Sequence, residues 1–335
     1  MSSPNPALVT LRGARRLPRP ALLALGAAYL LPGLLGRDPW RNADLAAFGQ
    51  MAAIADGRSS WWNPTLGGVA ADAAPLPHWL GAAFVSVLGP LLDGPLAARL
   101  AFAGLLALAL LLTWAATYHL ALTDAAQPLP FAFGGEADPV DYARAIADAA
   151  VLALMATLGL LQLGHETTPE LAQLACLAWL AYGLASAPFR RWQPRVAVLL
   201  SLPLLAGSGA PALAVLAGLG GAEVCRRSSY PAVQAVVRWL VGASVLAALT
   251  GVALGTWHWR ALAPTAQDLL VAIPRQWLWF MWPAWPLALW TLWRWRRHVT
   301  HRHLAVPLVV VVTGLAGNLS MAGNDRALLL ALPGL

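Results

Sequence analysis

Between positions 37 and 94 the chain carries five aspartates (Asp38, Asp44, Asp56, Asp72, Asp93) and three arginines (Arg37, Arg41, Arg58). A carboxylate can take a proton from an attacking hydroxyl or amine. Two carboxylates can hold a hard divalent cation through oxygen and leave positions open. Arginine can balance the charge of a departing phosphate. Three more arginines, Arg99, Arg238 and Arg275, stand inside apolar runs, and Arg260 and Arg326 lie in short polar segments. An arginine in such a run snorkels to the interface or faces a cavity where it meets a partner. The order of the runs places Arg275 nearer the face that bears segment 37–94, with Arg99 and Arg238 nearer the other. Arg275 is therefore the better phosphate candidate, and Arg58, Arg260 and Arg326 are its possible helpers.

These groups sit in an unusual chain. Of 335 residues, 59% are hydrophobic and 11% charged, and the 22 basic residues are all arginine, giving a net charge of +7. Soluble domains carry about 25% charged residues, so a soluble domain, a disordered chain and a disulfide scaffold are excluded. The arginines are dispersed among apolar runs rather than gathered on one face, which argues against nucleic acid as a partner. Cys176 and Cys225 lie in or beside apolar stretches and read as small buried hydrophobes. The basic start (Arg12, Arg15, Arg16, Arg19) leads into an apolar run with no small-residue cleavage site, so it reads as an uncleaved first span.

A helical span needs about 20 apolar residues. The runs 20–36, 95–121, 149–163, 171–187, 232–254, 268–293 and 304–322 qualify, and 196–222 is either one span or two broken at Gly207-Ser208-Gly209-Ala210-Pro211. With two, 14 arginines fall on one side and 5 on the other. By the positive-inside rule the first side, with the N-terminus, is cytoplasmic. A final run begins at Ala327 and ends at Leu335, too short to span. The expected fold is therefore all-α: one polytopic bundle over 1–335, of about nine spans plus an unfinished tenth, the front part of a longer protein. The expected location is a bacterial inner membrane.

Segment 37–94 is the one long stretch outside the membrane. Leu45, Phe48, Met51, Ala52 and Ala55 follow helical spacing, with Asp44 and Gln50 among the more polar positions, which predicts an amphipathic helix on the membrane surface. Residues 77–90 read as a second. His165-Glu166 opens a short outer loop before Thr167-Thr168-Pro169-Glu170 and reads as helix capping, with approach to the same cavity as the alternative. His298, His301 and His303 alternate with arginines and read as a basic interface with anionic membrane lipids rather than a metal cluster. Nine of the 17 tryptophans lie between Trp257 and Trp295, where they read mainly as interfacial anchors.

The outer segment also resembles a family. Arg37-Asp38-Pro39-Trp40-Arg41-Asn42-Ala43-Asp44, Phe48-Gly49, Asn63-Pro64, Gly67 and Asp72-Ala73-Ala74-Pro75-Leu76-Pro77-His78-Trp79 are similar to the first outer loop of family 39 glycosyltransferases. These are GT-C membrane enzymes that include lipid A aminoarabinose transferases and protein mannosyltransferases. Ala97-Ala98-Arg99-Leu100 and residues 325–333 are similar to the starts of two family spans. The family's leading loop aspartate is Ala43 here, and the lysine after its later acid is Ala73. The resemblance implies transfer of a sugar from a polyprenyl-phosphate donor to a lipid, glycan or protein acceptor at the periplasmic face. It implies Asp44 and Asp72 as the catalytic acids and as the ligands of a divalent metal. Ala43 and Ala73 motivate a rival, a non-catalytic glycosyltransferase-like protein. A transporter or flippase is the other rival, but it calls for interrupted helices at matching places in two halves, and only the one Gly-Ser-Gly break is found.

Overall fold

The computed structural model describes residues 8–35, 38–39, 41–62, 64–70, 74–257 and 262–335. Asp72 and Arg260 lie outside the described residues. Proline sets where many of the helices begin, since its missing N–H costs nothing in a first turn. The chain runs through α1 (Arg19–Leu30), α2 (Asn42–Ala55), a two-stranded antiparallel hairpin of β1 (Thr65–Leu66) and β2 (Val69–Ala70), and α3 (Pro75–Leu88). It continues through α4 (Gly94–Ala121), α5 (Pro139–Ala156), α6 (Leu158–Leu163), α7 (Pro169–Ser186), α8 (Gln193–Gly207) and α9 (Pro211–Arg226). The last helices are α10 (Pro231–Gln234), α11 (Val237–Ala253), α12 (Ile273–Phe280), α13 (Ala284–Arg294) and α14 (Arg302–Ser320), followed by a 3-10 segment, Asp325–Gly334.

The core is helix on helix. On α7, Leu171, Leu174, Leu177, Leu180 and Leu184 have no exposed surface, and nearly every other position is buried too. A helix apolar all round belongs at a bundle's centre. It packs against α4, α8, α14 and the 3-10 segment. The outward faces are greasy in turn: Leu111, Leu249 and Val252 are exposed. Among the described residues, the stretches Gly94–Ala121, Pro231–Ala253 and Arg302–Ser320 are long and apolar enough to cross a membrane.

Several boundaries differ from the sequence reading. The 196–222 region is a pair, α8 and α9, as the glycine-proline break and the arginine balance required. The run 268–293 is broken between α12 and α13, where Pro283 has no N–H to give a continuing helix. The run 149–163 begins earlier, at Pro139, and is interrupted at Thr157. Residues 327–332 do not start a straight span but lie buried in the 3-10 segment. Arg99 is misplaced by the sequence reading. It lies five residues into α4, which enters from the outer segment, and it lines a small cavity with Gly33, Leu34, Gly164 and His165.

The surface helices formed where expected, but α2 turns a different face inward. Asp44, Ala47, Gln50, Met51 and Ile54 are buried while Leu45 is exposed. The polar positions face protein, not water.

The two ends of the bundle also carry a topology test. Gly207 packs on Leu76 of α3, so the turn 208–210 lies at the α3 end, and α9 carries the chain away to Arg227. A reporter fused after Arg227 is expected to read cytoplasmic and one at Thr65 external. Matching signals at both positions would refute the arrangement.

Candidate functional site

Asp44 lies in the first turn of α2, where the helix N-terminus favours an acid. It is 1% exposed, and its Oδ1 accepts from the Thr167 backbone N–H at 2.7 Å and from Thr167 Oγ1 at 2.8 Å. The surface helix is thereby tied to the loop between α6 and α7. That loop is held from its other side by His165, whose Nε2 lies 2.9 Å from the Tyr29 carbonyl oxygen. Gly33 makes room for the imidazole, since a Cβ there would overlap the ring.

Glu166 points inward with a fully buried side chain and does not cap α7, whose N-cap Thr168 makes no side-chain cap bond. Arg326 Nη2 donates to Glu166 Oε2 at 2.9 Å, and Arg41 Nη1 stands 3.8 Å from Oε1. Gln162, with its amide oxygen turned toward Arg41, accepts from Nη1 and Nη2 at 2.9 and 3.0 Å. Arg326 is placed by the 3-10 segment, whose Asn324 side chain accepts the Arg326 N–H at 3.0 Å. Gly314 of α14 lets that segment's backbone come close, for a Cβ there would collide with Ala331. Burial raises the proton affinity of Glu166 above the usual carboxylate range, with Arg326 opposing, Asp44 adding to it and Arg41 opposing.

Two of the residues singled out in the sequence, Asp44 and Arg326, thus meet one cluster, joined through the loop 164–168. Arg58 does not join them. It binds Asp56 at 2.6 Å in the turn past the C-terminal end of α2, whereas Asp44 stands in that helix's first turn, 11 residues or roughly 16 Å before its end. Arg275 is exposed on α12 and has no ion-pair partner among the described residues. That helix is fastened near Arg326 by buried Asn318, which accepts from Trp277 Nε1 at 2.8 Å and donates to Gln276 Oε1 at 3.3 Å and Asn324 O at 2.8 Å. Glu166 and Arg41 were not picked out as site residues in the sequence. The available signal was an acid in a loop only five residues long before α7.

Among the described residues no three His, Cys, Asp or Glu side chains converge to hold a metal ion. Asp44 Oδ1 is engaged by Thr167, and Glu166 faces two guanidinium groups. The described residues therefore do not form a divalent site by themselves; one at Asp44 would need Asp72.

This bundle of apolar helices, with surface helices between the first two long runs and an acid-arginine cluster where they meet the bundle, shares its fold with a solved structure. Among solved structures it is similar to the crystal structure of ArnT from Cupriavidus metallidurans bound to undecaprenyl phosphate, with a TM-score of 0.59 and 15% sequence identity. The match covers 94% of this chain and 57% of ArnT, so the chain spans little more than half the length of that protein. No protein-family model and no curated protein sequence matches the chain.

Proposed function

We propose that this chain belongs to a membrane glycosyltransferase that moves a sugar from a polyprenyl-phosphate donor to a lipid, glycan or protein acceptor at the periplasmic face of a bacterial inner membrane. The shared fold with a protein solved with undecaprenyl phosphate supports the donor class. The observation that carries the chemistry is the buried Asp44, joined by Thr167 to a loop whose Glu166 lies between Arg41 and Arg326. The acceptor's oxygen or nitrogen forms a bond to the sugar's anomeric carbon, the bond from that carbon to the phosphate oxygen breaks, and the polyprenyl phosphate leaves with the electron pair. The acceptor's proton goes to Asp44, or to Asp72, as general base. Arg275, exposed and without an ion-pair partner among the described residues, binds the donor phosphate, with Arg58 and Arg260 as further basic groups. A divalent cation on Asp44 and Asp72 is a further part of this proposal, and no step above depends on it.

The test is transfer of labelled sugar from a polyprenyl-phosphate donor by the complete protein in vesicles. Arg275→Ala is expected to raise the KM for donor roughly tenfold or more, the loss of one charge-assisted contact, with kcat little changed. An unaltered KM would remove Arg275 from the donor site. The non-catalytic reading has its own support, since Asp44 is placed as a structural tie and Ala43 and Ala73 replace family residues. Inactivity of the wild type across a range of donors would favour it.

A further inference from the structure

A second site lies at the other end of α4. A cavity of about 610 Å³ opens between the segment entering α1, α4 and the first half of α5. Its lining includes Arg16, Arg19, Arg144, Trp114, Asp148 and Leu22. Trp114 follows Arg99 by 15 residues, roughly 22 Å of helix, so this cavity is well separated from the acid-arginine cluster.

The cavity is built, not a gap. Asp148 is 6% exposed, and its two oxygens accept the Leu17 N–H at 3.0 Å and Trp114 Nε1–H at 2.8 Å. Those bonds pin the basic segment to α4 and α5. The same segment is pinned again by Leu11 N–H to Gly135 O at 3.0 Å and Ala137 N–H to Val9 O at 3.0 Å. Arg16 is matched by Asp141 at 3.0 Å. Arg19 and Arg144 have no ion-pair partner among the described residues. With Asp148 the only acid in the lining, the cavity carries a positive excess.

We propose that this cavity binds the phosphate headgroup of an anionic membrane lipid, with Arg19 and Arg144 as the phosphate ligands. Guanidinium forks suit phosphate oxygens, and basic pockets between membrane helices are suited to lipid headgroups. The volume lies within the usual range for small-molecule sites. A lipid fits better than a dissolved anion because Leu22 lines the cavity and the helix beyond it is greasy. No residue of α1 is fully buried, and Leu23 and Leu25 are exposed, so acyl chains can run along α1 from a headgroup held at its start.

The experiment is native mass spectrometry of the complete protein released from detergent, incubated with phosphatidylglycerol, with phosphatidylcholine, or with inorganic phosphate. Preferential retention of phosphatidylglycerol is expected, falling about tenfold or more when Arg19 and Arg144 are both changed to Gln. Changing both to Lys keeps the charge and is expected to restore part of the binding, which guards against a folding defect. Equal retention by wild type and the Gln double variant would overturn the site. Equal retention of the two lipids, or saturation by inorganic phosphate alone, would overturn the anionic-lipid assignment.

Discussion

Asp44→Asn is expected to lower sugar transfer by about 10²–10⁴-fold, the range usual for loss of a general base, while the protein stays folded and inserted. The choice of asparagine follows from the geometry. Asp44 Oδ1 holds Thr167 through two bonds of 2.7 and 2.8 Å, and an amide oxygen accepts both as well. The charge goes and the tie stays. Asp44→Ala removes both and is expected to lower stability as well, by about 1–3 kcal/mol for each buried donor left unpaired. Asp72→Asn is expected to impair transfer too, and if the two acids share one task their losses do not add. The control is Asp93→Asn. Asp93 Oδ1 accepts the Leu96 N–H at 2.6 Å as the N-cap of α4, and asparagine caps about equally well. The readout is label transfer in vesicles, and equal activity in wild type and Asp44→Asn would remove Asp44 from the chemistry.

The site was partly legible in the sequence, and the boundary has a physical cause. Asp44 stood out because a resemblance is specific over residues 37–100, and the 207–211 break because glycine and proline mark turns locally. Glu166 could not be found the same way. Its meaning comes from the loop's contact with a residue 123 positions away, Thr167 against Asp44, and from Arg326, 160 positions on. The buried face of α2 was misread for a related reason. An amphipathic pattern tells which side is polar, and water is the usual polar surrounding, but here Asp44 and Gln50 are buried in protein. Arg99 was assigned to the wrong end although its place five residues into α4 was legible all along. The division of 268–293 into α12 and α13 escaped because its tryptophans and leucines keep the run apolar across the break.

Arg326→Ala is expected to destabilise the protein by about 3–5 kcal/mol, because it leaves a buried carboxylate without its main cation. Glu166 is the group affected: its side chain is fully buried, and Arg326 holds it at 2.9 Å while Arg41 is farther, at 3.8 Å. The double change Arg326→Ala with Glu166→Gln is expected to recover much of the loss, since the stranded charge is gone; the coupling is read from the two single variants and the double. The pH dependence fixes the sign independently. Burial raises the folded-state pKa of Glu166 above the ordinary 4.5, so the folded chain holds this proton more tightly than the unfolded chain. Stability from this group is therefore greatest below its unfolded pKa and falls as pH rises toward the folded one. Arg326 opposes the shift, so removing it moves the folded pKa further up and extends the window over which stability falls. The gap in Tm between wild type and Arg326→Ala, followed in detergent from pH 8 downward, is expected to narrow as Glu166 protonates. A gap that stays constant, or that Glu166→Gln fails to close, would show that Arg326 contributes through packing rather than through this ion pair.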